Sequence, residues 1–320
     1  MQKKRFLVVS GIVISLFFLW LSFKDFKINE IWDVLKNLQP LWLIGGIFLF
    51  LFSHFLRGIR WKLILAPSYQ LSFKNSLGAL FISLLGNNIF PWKLGDIWRI
   101  LLVKKKGNIS RLAAGSSLFL ERIYDGLSIL LIIWFSILFF HTSVPPLINK
   151  TIFYFGIFIL ASIILMTFFY HFFTEKIKSF EDNSFWKKLF SGISLLENPK
   201  ASLALVTFSL IIWIIETLSY GAFIKAFSFH ISFSLLALII FVVNVALLIP
   251  AAPGYLGTFE YAMILAFSAF GVSKNSGLTI ALVIHFLRYI STSTVGLYFL
   301  STWHLKLPPP KQLSLNKNQQ

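Results

Sequence analysis

The chain has 320 residues, no cysteine, a formal net charge of +17 and a mean hydropathy of +0.79, with 57% of its residues hydrophobic. A soluble domain of this size must clothe itself in polar side chains, so that fraction excludes the soluble classes, and the lack of cysteine excludes disulfides and thiolate metal sites. Nucleic acid is not the expected partner either: Lys and Arg fall in short tracts (Lys3-Lys4-Arg5, Lys104-Lys105-Lys106, Lys176 to Lys200, Lys306 to Lys317) between apolar spans, as cytoplasmic loops of a membrane protein do.

The first element, Phe6–Phe23, follows a basic tract and imitates a signal peptide. Its length, the absence of a small-x-small site and the Lys24-Asp25 that follows it predict an uncleaved helix instead. Further spans are predicted at Leu41–Leu56, Ala113–Phe140, Thr151–Phe173, Leu203–Phe223 and Gly277–Thr302, each near the length that crosses a ~30 Å hydrocarbon core. Two regions break the pattern. Ser76–Phe90 is apolar over roughly 22 Å of helix, then stops at Asn87-Asn88-Ile89-Phe90-Pro91-Trp92-Lys93 and resumes only as Ile97–Val103. Phe233–Val272 is interrupted at Pro250-Ala251-Ala252-Pro253-Gly254.

Taken as one crossing, Ser76–Val103 would put the lysine triplet outside and leave Pro91, Lys93, Asp96 and Arg99 facing lipid. Taken as a re-entrant hairpin, it returns the triplet to the cytoplasm and buries the broken backbone in protein, where a membrane tolerates it. With both broken regions as hairpins, Lys and Arg gather on one side, both termini are cytoplasmic, and the expected location is a bacterial inner membrane. For the second region, two short crossings give the same parity. The expected fold is therefore all-α and polytopic, with about six full transmembrane helices and two hairpins in a single domain, residues 1–302, followed by a cytoplasmic tail, 303–320.

The two breaks are related. Pro91-x-x-Leu94-Gly95 matches Pro253-x-x-Leu256-Gly257. Each is preceded by an apolar helix bearing charge (Arg57 and Arg60; Glu216) and followed by a long helix bearing charge (Glu121, Arg122 and Asp125; His285 and Arg288). On the predicted topology the hairpins enter from opposite sides, so residues 41–140 and 203–302 are expected to be inverted repeats, an architecture that places substrate at the repeat interface.

Candidate chemistry lies in the charges within these spans. Arg57 and Arg60 share a helix face with Trp61 a turn from Arg57, as a fork for a phosphate or as a basic helix end snorkelling to headgroups. Glu121 and Asp125 lie at i and i+4 beside Arg122, as a headgroup contact or charge relay, or as an Arg122–Asp125 packing pair. Glu216 has no basic neighbour in sequence; Arg288, Arg122 or a substrate amine are its expected counter-charges. His285, Arg288 and Thr292 share a face, with His285 as a packing residue or a ligand. Pro250, Pro253 and Gly254 stop one half-helix, and Gly257 permits close approach before a helix begins near Thr258. The free N–H groups there accept either an anion or a cap from Thr258 or Glu260. Asn87, Asn88, Lys93 and Arg99 surround the first break near Pro91 and Gly95, so a cationic, cytoplasm-facing cavity is expected if the hairpins meet.

The blocks Arg57-x-x-Arg60-Trp61, Asn88-x-x-Pro91-x-Lys93-x-Gly95-Asp96-x-x-Arg99, Glu121-Arg122-x-x-Asp125, Pro250-x-x-Pro253-Gly254-x-x-Gly257-x-x-Glu260 and Arg288 together resemble the lysylphosphatidylglycerol synthase transmembrane (flippase-like) family, also filed as UPF0104-type membrane proteins. The resemblance covers nearly the whole chain. Two positions depart from it: Asp96 stands where Glu is frequent, and Tyr255 follows Gly254 where a second Gly is frequent. In that family the membrane domain moves aminoacylated phosphatidylglycerol and can be joined to a soluble aminoacyl-tRNA-dependent transferase; the short Pro- and Lys-containing tail after Trp303 implies the flippase part alone.

The expected activity is translocation of an anionic or aminoacylated phospholipid, or of a polyprenyl-phosphate-linked lipid. Arg57, Arg60, Lys93, Arg99, Arg122 and Arg288 are the candidate phosphate contacts, and Asp96, Glu121, Asp125, Glu216 and Glu260 the candidate relay or amine contacts. No catalytic residue, metal or cofactor is expected, and a separate lipid synthase or glycosyltransferase is the expected protein partner. The alternatives are a glycosyltransferase or other lipid-modifying enzyme within the bilayer, disfavoured because the chain has no Asp-x-Asp and short external loops, and a non-transporting subunit of an envelope synthesis complex.

Overall fold

The computed structural model describes residues 2–27, 29–91, 93–140, 146–179, 184–229 and 232–305. The expected basic tail from Lys306 onward, and Trp92, lie outside them. All regular elements among the described residues are helical. In chain order they are α1 (Gln2–Phe23), α2 (Asn29–Leu35), α3 (Pro40–Leu65), α4 (Phe73–Ile89), α5 (Leu94–Gly107), α6 (Arg111–Phe140), α7 (Pro146–Ser179), α8 (Phe185–Ser191), α9 (Pro199–Lys225), α10 (Phe233–Ala246), α11 (Thr258–Ser268) and α12 (Lys274–Thr302). Five of them, α3, α6, α7, α9 and α12, contain stretches long and apolar enough to cross a membrane. α1 carries the expected first span as a 22-residue helix that is apolar over Ser10–Phe23.

The helix starts are set by local chemistry. Ser72, Ser184, Asn198, Ser232 and Ser273 stand at N-caps with side-chain oxygens accepting from a backbone N–H three residues on, and Pro40 and Pro199 open α3 and α9 where no donor is needed. Asn108, in the left-handed region at φ 51°, closes α5. The large side chains Leu41, Phe48, Leu138, Phe172 and Tyr298 stay exposed on the outer faces, as lipid-facing residues do.

Both broken regions fold as helical hairpins, α4 against α5 and α10 against α11. At 14 and 11 residues, α10 and α11 span roughly 21 Å and 16 Å, short of a ~30 Å core. The packing is reciprocal. α3 and α9 lie against each other at the centre, α4 of the first half packs on α12 of the second, and α10 of the second packs on α6 of the first. The main apolar core joins α3, α6, α9, α10, α11 and α12 through residues such as Phe50, Ile133, Phe223, Phe241, Phe267 and Ile284.

Candidate functional site

At the first tip, α4 gives way to extended backbone at Phe90, Pro91 supplies no donor, and Lys93 turns the chain into α5 from the left-handed region (φ 52°). α5 lies so close to α4 that a Cβ on Gly95 would overlap the Ser83 carbonyl oxygen. At the second tip, Pro253–Tyr255 forms one 3-10 turn in which Gly254 (φ 66°) and Tyr255 (φ 60°) are left-handed, and Gly257 (φ 84°) precedes α11. The tips touch. Tyr289 of α12 donates its hydroxyl to the Asn88 carbonyl at 3.3 Å, and Asn88 Nδ2 donates to Ser293 and Thr292 hydroxyls at 2.9 and 3.1 Å. Lys93 Nζ lies 5.9 Å from the Tyr255 ring centroid.

Each hairpin carries a carboxylate at the third position of its second helix, and each meets a basic side chain from the following long helix. Asp96 accepts from Ser83 Oγ (2.9 Å), Asn87 Nδ2 (3.3 Å) and Arg122 (3.3 Å). Glu260 accepts the Gly257 N–H through Oε2 (2.7 Å), capping α11, while Oε1 faces His285 Nδ1 at 2.5 Å. The far ring nitrogen of His285 donates to the Gly254 carbonyl at 2.7 Å.

Between the tips and the α3–α9 centre runs a continuous charge network. Asp125 receives Arg60 at 2.7 Å, Arg57 at 3.2 Å, the Trp213 indole N–H at 2.8 Å, and Arg122 at 3.7 Å. Glu121 takes Arg99 through both oxygens (3.2 and 3.1 Å) and faces Arg60 at 3.5 Å. Glu216 takes Arg288 at 2.6 Å and the Ser53 hydroxyl at 2.6 Å, with Arg57 at 3.9 Å. Arg99 stacks on Trp61, and Arg57 on Trp213. The network thus holds Arg57, Arg60, Arg99, Arg122 and Arg288 against Asp96, Glu121, Asp125 and Glu216, one positive charge in excess. Unpaired, such charges are expensive inside a membrane; paired and hydrogen-bonded, they are tolerated.

Accessibility separates these residues. Arg60 and Arg99 are fully buried and Arg57 nearly so, whereas the Arg122 side chain is 50% exposed and that of Asp96 26%. Lys93 is half-buried beside them. Of the six candidate phosphate contacts, the structure therefore brings Lys93 and Arg122 to an accessible surface at the meeting tips, holds Arg57, Arg60 and Arg99 in buried pairs with carboxylates, and holds Arg288 in a partly buried one. Four of these guanidiniums keep buried donor atoms without a hydrogen-bond partner: Arg57 Nε, Arg60 Nε and Nη2, Arg99 Nε and Arg288 Nη1.

Arg60 is a network member and not a snorkelling helix end. Glu216 finds Arg288 as its counter-charge, and Arg122 and Asp125 do approach at i, i+3. Of the two caps expected for α11, Glu260 provides it, while Thr258 Oγ1 is buried without a partner. Gly257 packs against α1 at Ser15 and Leu19, so it admits a helix and not a ligand. Sequence reasoning missed Ser53, Ser209 and Trp213, which complete the shells of Glu216, Arg60 and Asp125. Their signal was present in helical spacing: Ser209, Trp213 and Glu216 recur at i, i+4 and i+7 on α9, and Ser53, Arg57 and Arg60 do so on α3.

Residues 8–296 match the family described as the lysylphosphatidylglycerol synthase TM region. The chain is 28% identical over 221 residues to the UPF0104 membrane protein MJ1078 of Methanocaldococcus jannaschii, covering 66% of this chain and 90% of that one. It is 32% identical over 127 residues to the glycosyltransferase AglD of Haloferax volcanii, covering 39% of this chain and spanning only 20% of that protein's length. No solved structure matches.

Proposed function

From the chain's membership of the lysylphosphatidylglycerol synthase TM region family and from the geometry at the hairpin tips, we propose that it is a lipid transporter of the flippase type, moving a lipid with an anionic phosphate headgroup across the membrane. The observation that carries this reading is the placement of Lys93 and Arg122, the accessible cations, where the two broken helices meet. A phosphate entering there finds a guanidinium fork and an ammonium in a partly desolvated place, and charge-assisted hydrogen bonds are strongest under those conditions. Asp96, beside Arg122, is positioned to receive a headgroup amine such as that of an aminoacylated lipid.

The reciprocal packing of the halves and the matched tips favour an inverted duplication of residues 41–140 and 203–302, the framework in which alternating access works by moving one half against the other. The buried network then serves as the hinge region, its carboxylates and guanidiniums exchanging partners as the halves move. An apolar cavity of about 190 Å³ lined by Phe18, Leu147, Phe241, Ile249, Tyr261 and Leu265 offers room for part of a hydrocarbon chain. The proposed setting is a bacterial inner membrane with both termini cytoplasmic, and the proposed partner a separate synthase or glycosyltransferase that supplies the lipid. The relative named as a glycosyltransferase raises a second reading, that this domain presents a lipid carrier to such an enzyme; the shared stretch is a fifth of that protein.

The direct test is lipid retention. Wild-type protein purified in mild detergent should carry an anionic lipid identifiable by mass spectrometry, and Lys93→Ala/Arg122→Ala should lose it. Equal retention by both proteins would remove the basis of the reading.

A further inference from the structure

The Glu260–His285 contact counts protons. The Gly254 carbonyl can only accept, so His285 Nε2 carries a hydrogen; the Gly257 N–H can only donate, so Glu260 Oε2 carries none. The remaining contact, Nδ1 to Oε1 at 2.5 Å, therefore holds one proton. With none, two lone pairs oppose each other at that distance; with two, two hydrogens do. Both partners are enclosed, Glu260 at 1% and His285 at 12% side-chain exposure, so water cannot relieve either mismatch cheaply.

The three contacts tie the second tip together, since Gly254 and Gly257 flank its turn and His285 belongs to α12. Among the described residues no third charged side chain bonds Glu260 or His285. Of the other elements packed on α12, α2 carries Glu30 and Asp33, and α3 carries His54, Arg57 and Arg60, the two arginines being engaged by Asp125, Glu121 and Glu216. On α12 the next charged group is Arg288, engaged by Glu216 of α9. α11 presents Tyr261, the tip presents Tyr255 towards Lys93, and the opposed hairpin presents Asp96, which is held by Arg122. The described α1 side chains before Lys24 and all of α10 are uncharged, and the charge of α4, Lys74, lies at its far end.

We propose that Glu260 and His285 form a one-proton binding site that latches the second hairpin tip. Closing the tip takes up one proton between a carboxylate and a neutral imidazole, and opening returns it to water, leaving Glu260 ionised and His285 neutral. The ligand of the site is the proton itself, and tip opening is favoured as pH rises. What the proton would drive depends on the transport reading above; the latch itself does not.

The absence of cysteine makes the test clean. Ala251→Cys introduces a single thiol at a position 2% exposed beside the tip. Its modification by a maleimide, normalised to the same thiol in unfolded protein, should rise with pH by up to about tenfold per pH unit, the slope of a single proton. Adding Glu260→Gln should abolish the rise and keep labelling low. The amide oxygen still accepts from Gly257 and the amide nitrogen donates to His285 Nδ1, so the latch is closed at every pH. A flat wild-type profile, or an unchanged rise with Glu260→Gln, overturns the proposal. Should Glu260→Gln not fold, nitrogen-15 NMR of histidine-labelled protein, with the His285 signal identified by its loss in His285→Gln, decides it instead. An Nδ1 that is protonated or strongly hydrogen-bonded at low pH and bare at high pH supports the latch, and an Nδ1 signal that does not change with pH overturns it. Neither readout requires lipid movement, so a failure here is distinguishable from a failure of transport.

Discussion

Lys93 and Tyr255 occupy the same place in the two halves of the chain and face each other. Each stands two residues beyond the proline of its own hairpin, each is left-handed (φ 52° and 60°), and Nζ lies 5.9 Å from the ring centroid. The correspondence extends outward. Asp96 meets Arg122 across 26 residues of sequence, and Glu260 meets His285 across 25. The pairing at the first tip is exposed and cationic; the pairing at the second is enclosed and holds a proton.

Because Arg122 is half exposed, its loss should cost the fold only about 1 kcal/mol, the worth of an exposed ion pair. The same change removes the proposed charge-assisted contact to a lipid phosphate, worth about 1.5–3 kcal/mol. Arg122→Ala should therefore weaken binding of an anionic lipid about tenfold or more, with a nearly unchanged melting temperature, as read by titration into detergent-solubilised protein.

Arg99 should behave in the opposite way. It is buried, bonded through both ends to Glu121 and stacked on Trp61. Arg99→Ala leaves Glu121 with only the longer approach of Arg60 and should destabilise by about 3–5 kcal/mol. Removing Glu121 as well should cost less than the two single changes summed, in a double-mutant cycle followed by denaturant unfolding in detergent.

Two glycines in neighbouring helices should give opposite signs. A Cβ at Gly95 runs into the Ser83 carbonyl and the Asn87 backbone, so Gly95→Ala should splay the first hairpin and lower stability by about 1–3 kcal/mol. At Gly115 a Cβ meets only Ile100 Cδ1 at 4.0 Å, so Gly115→Ala should raise stability by about 0.5–1 kcal/mol through the helix backbone. Paired thermal melts read both.

The spans were legible because an apolar run of membrane length has one interpretation, and the breaks because Pro91, Pro253 and Gly254 cannot continue a helix. The end of α3 was not. The apolar span Leu41–Leu56 was readable, and so was a helix carrying Arg57 and Arg60 beyond it, but not the reach of that helix to Leu65 or the Asp125, Glu121 and Ser209 that neutralise or bond the two arginines from α6 and α9. The short helices α2 and α8 carry too few residues for a period to emerge. Of the site, Arg122–Asp125 was readable from local spacing, Arg288 could be named as one of three counter-charges for Glu216 but not singled out across 72 residues, and Arg99–Glu121, 22 residues apart, is a product of tertiary packing.

If the two tips form one gate, holding them together should stop transport. The double variant Asn88→Cys/Tyr255→Cys, which spans the touching tips and keeps Lys93 and Arg122, should lose activity when joined by a short cleavable thiol reagent and regain it on cleavage. Unimpaired transport by the bridged protein would show that the tips need not separate.

The central claim is that Lys93 and Arg122 receive the phosphate of a transported lipid, and the most direct measurement is a flip assay in proteoliposomes. Fluorescent phosphatidylglycerol, lysylated phosphatidylglycerol and a polyprenyl phosphate are compared for wild type and Arg122→Ala. Selective transfer of one of these lipids by wild type, reduced about tenfold or more in the variant, is the expected result. Transfer of none of them, or equal transfer by both proteins, would contradict it.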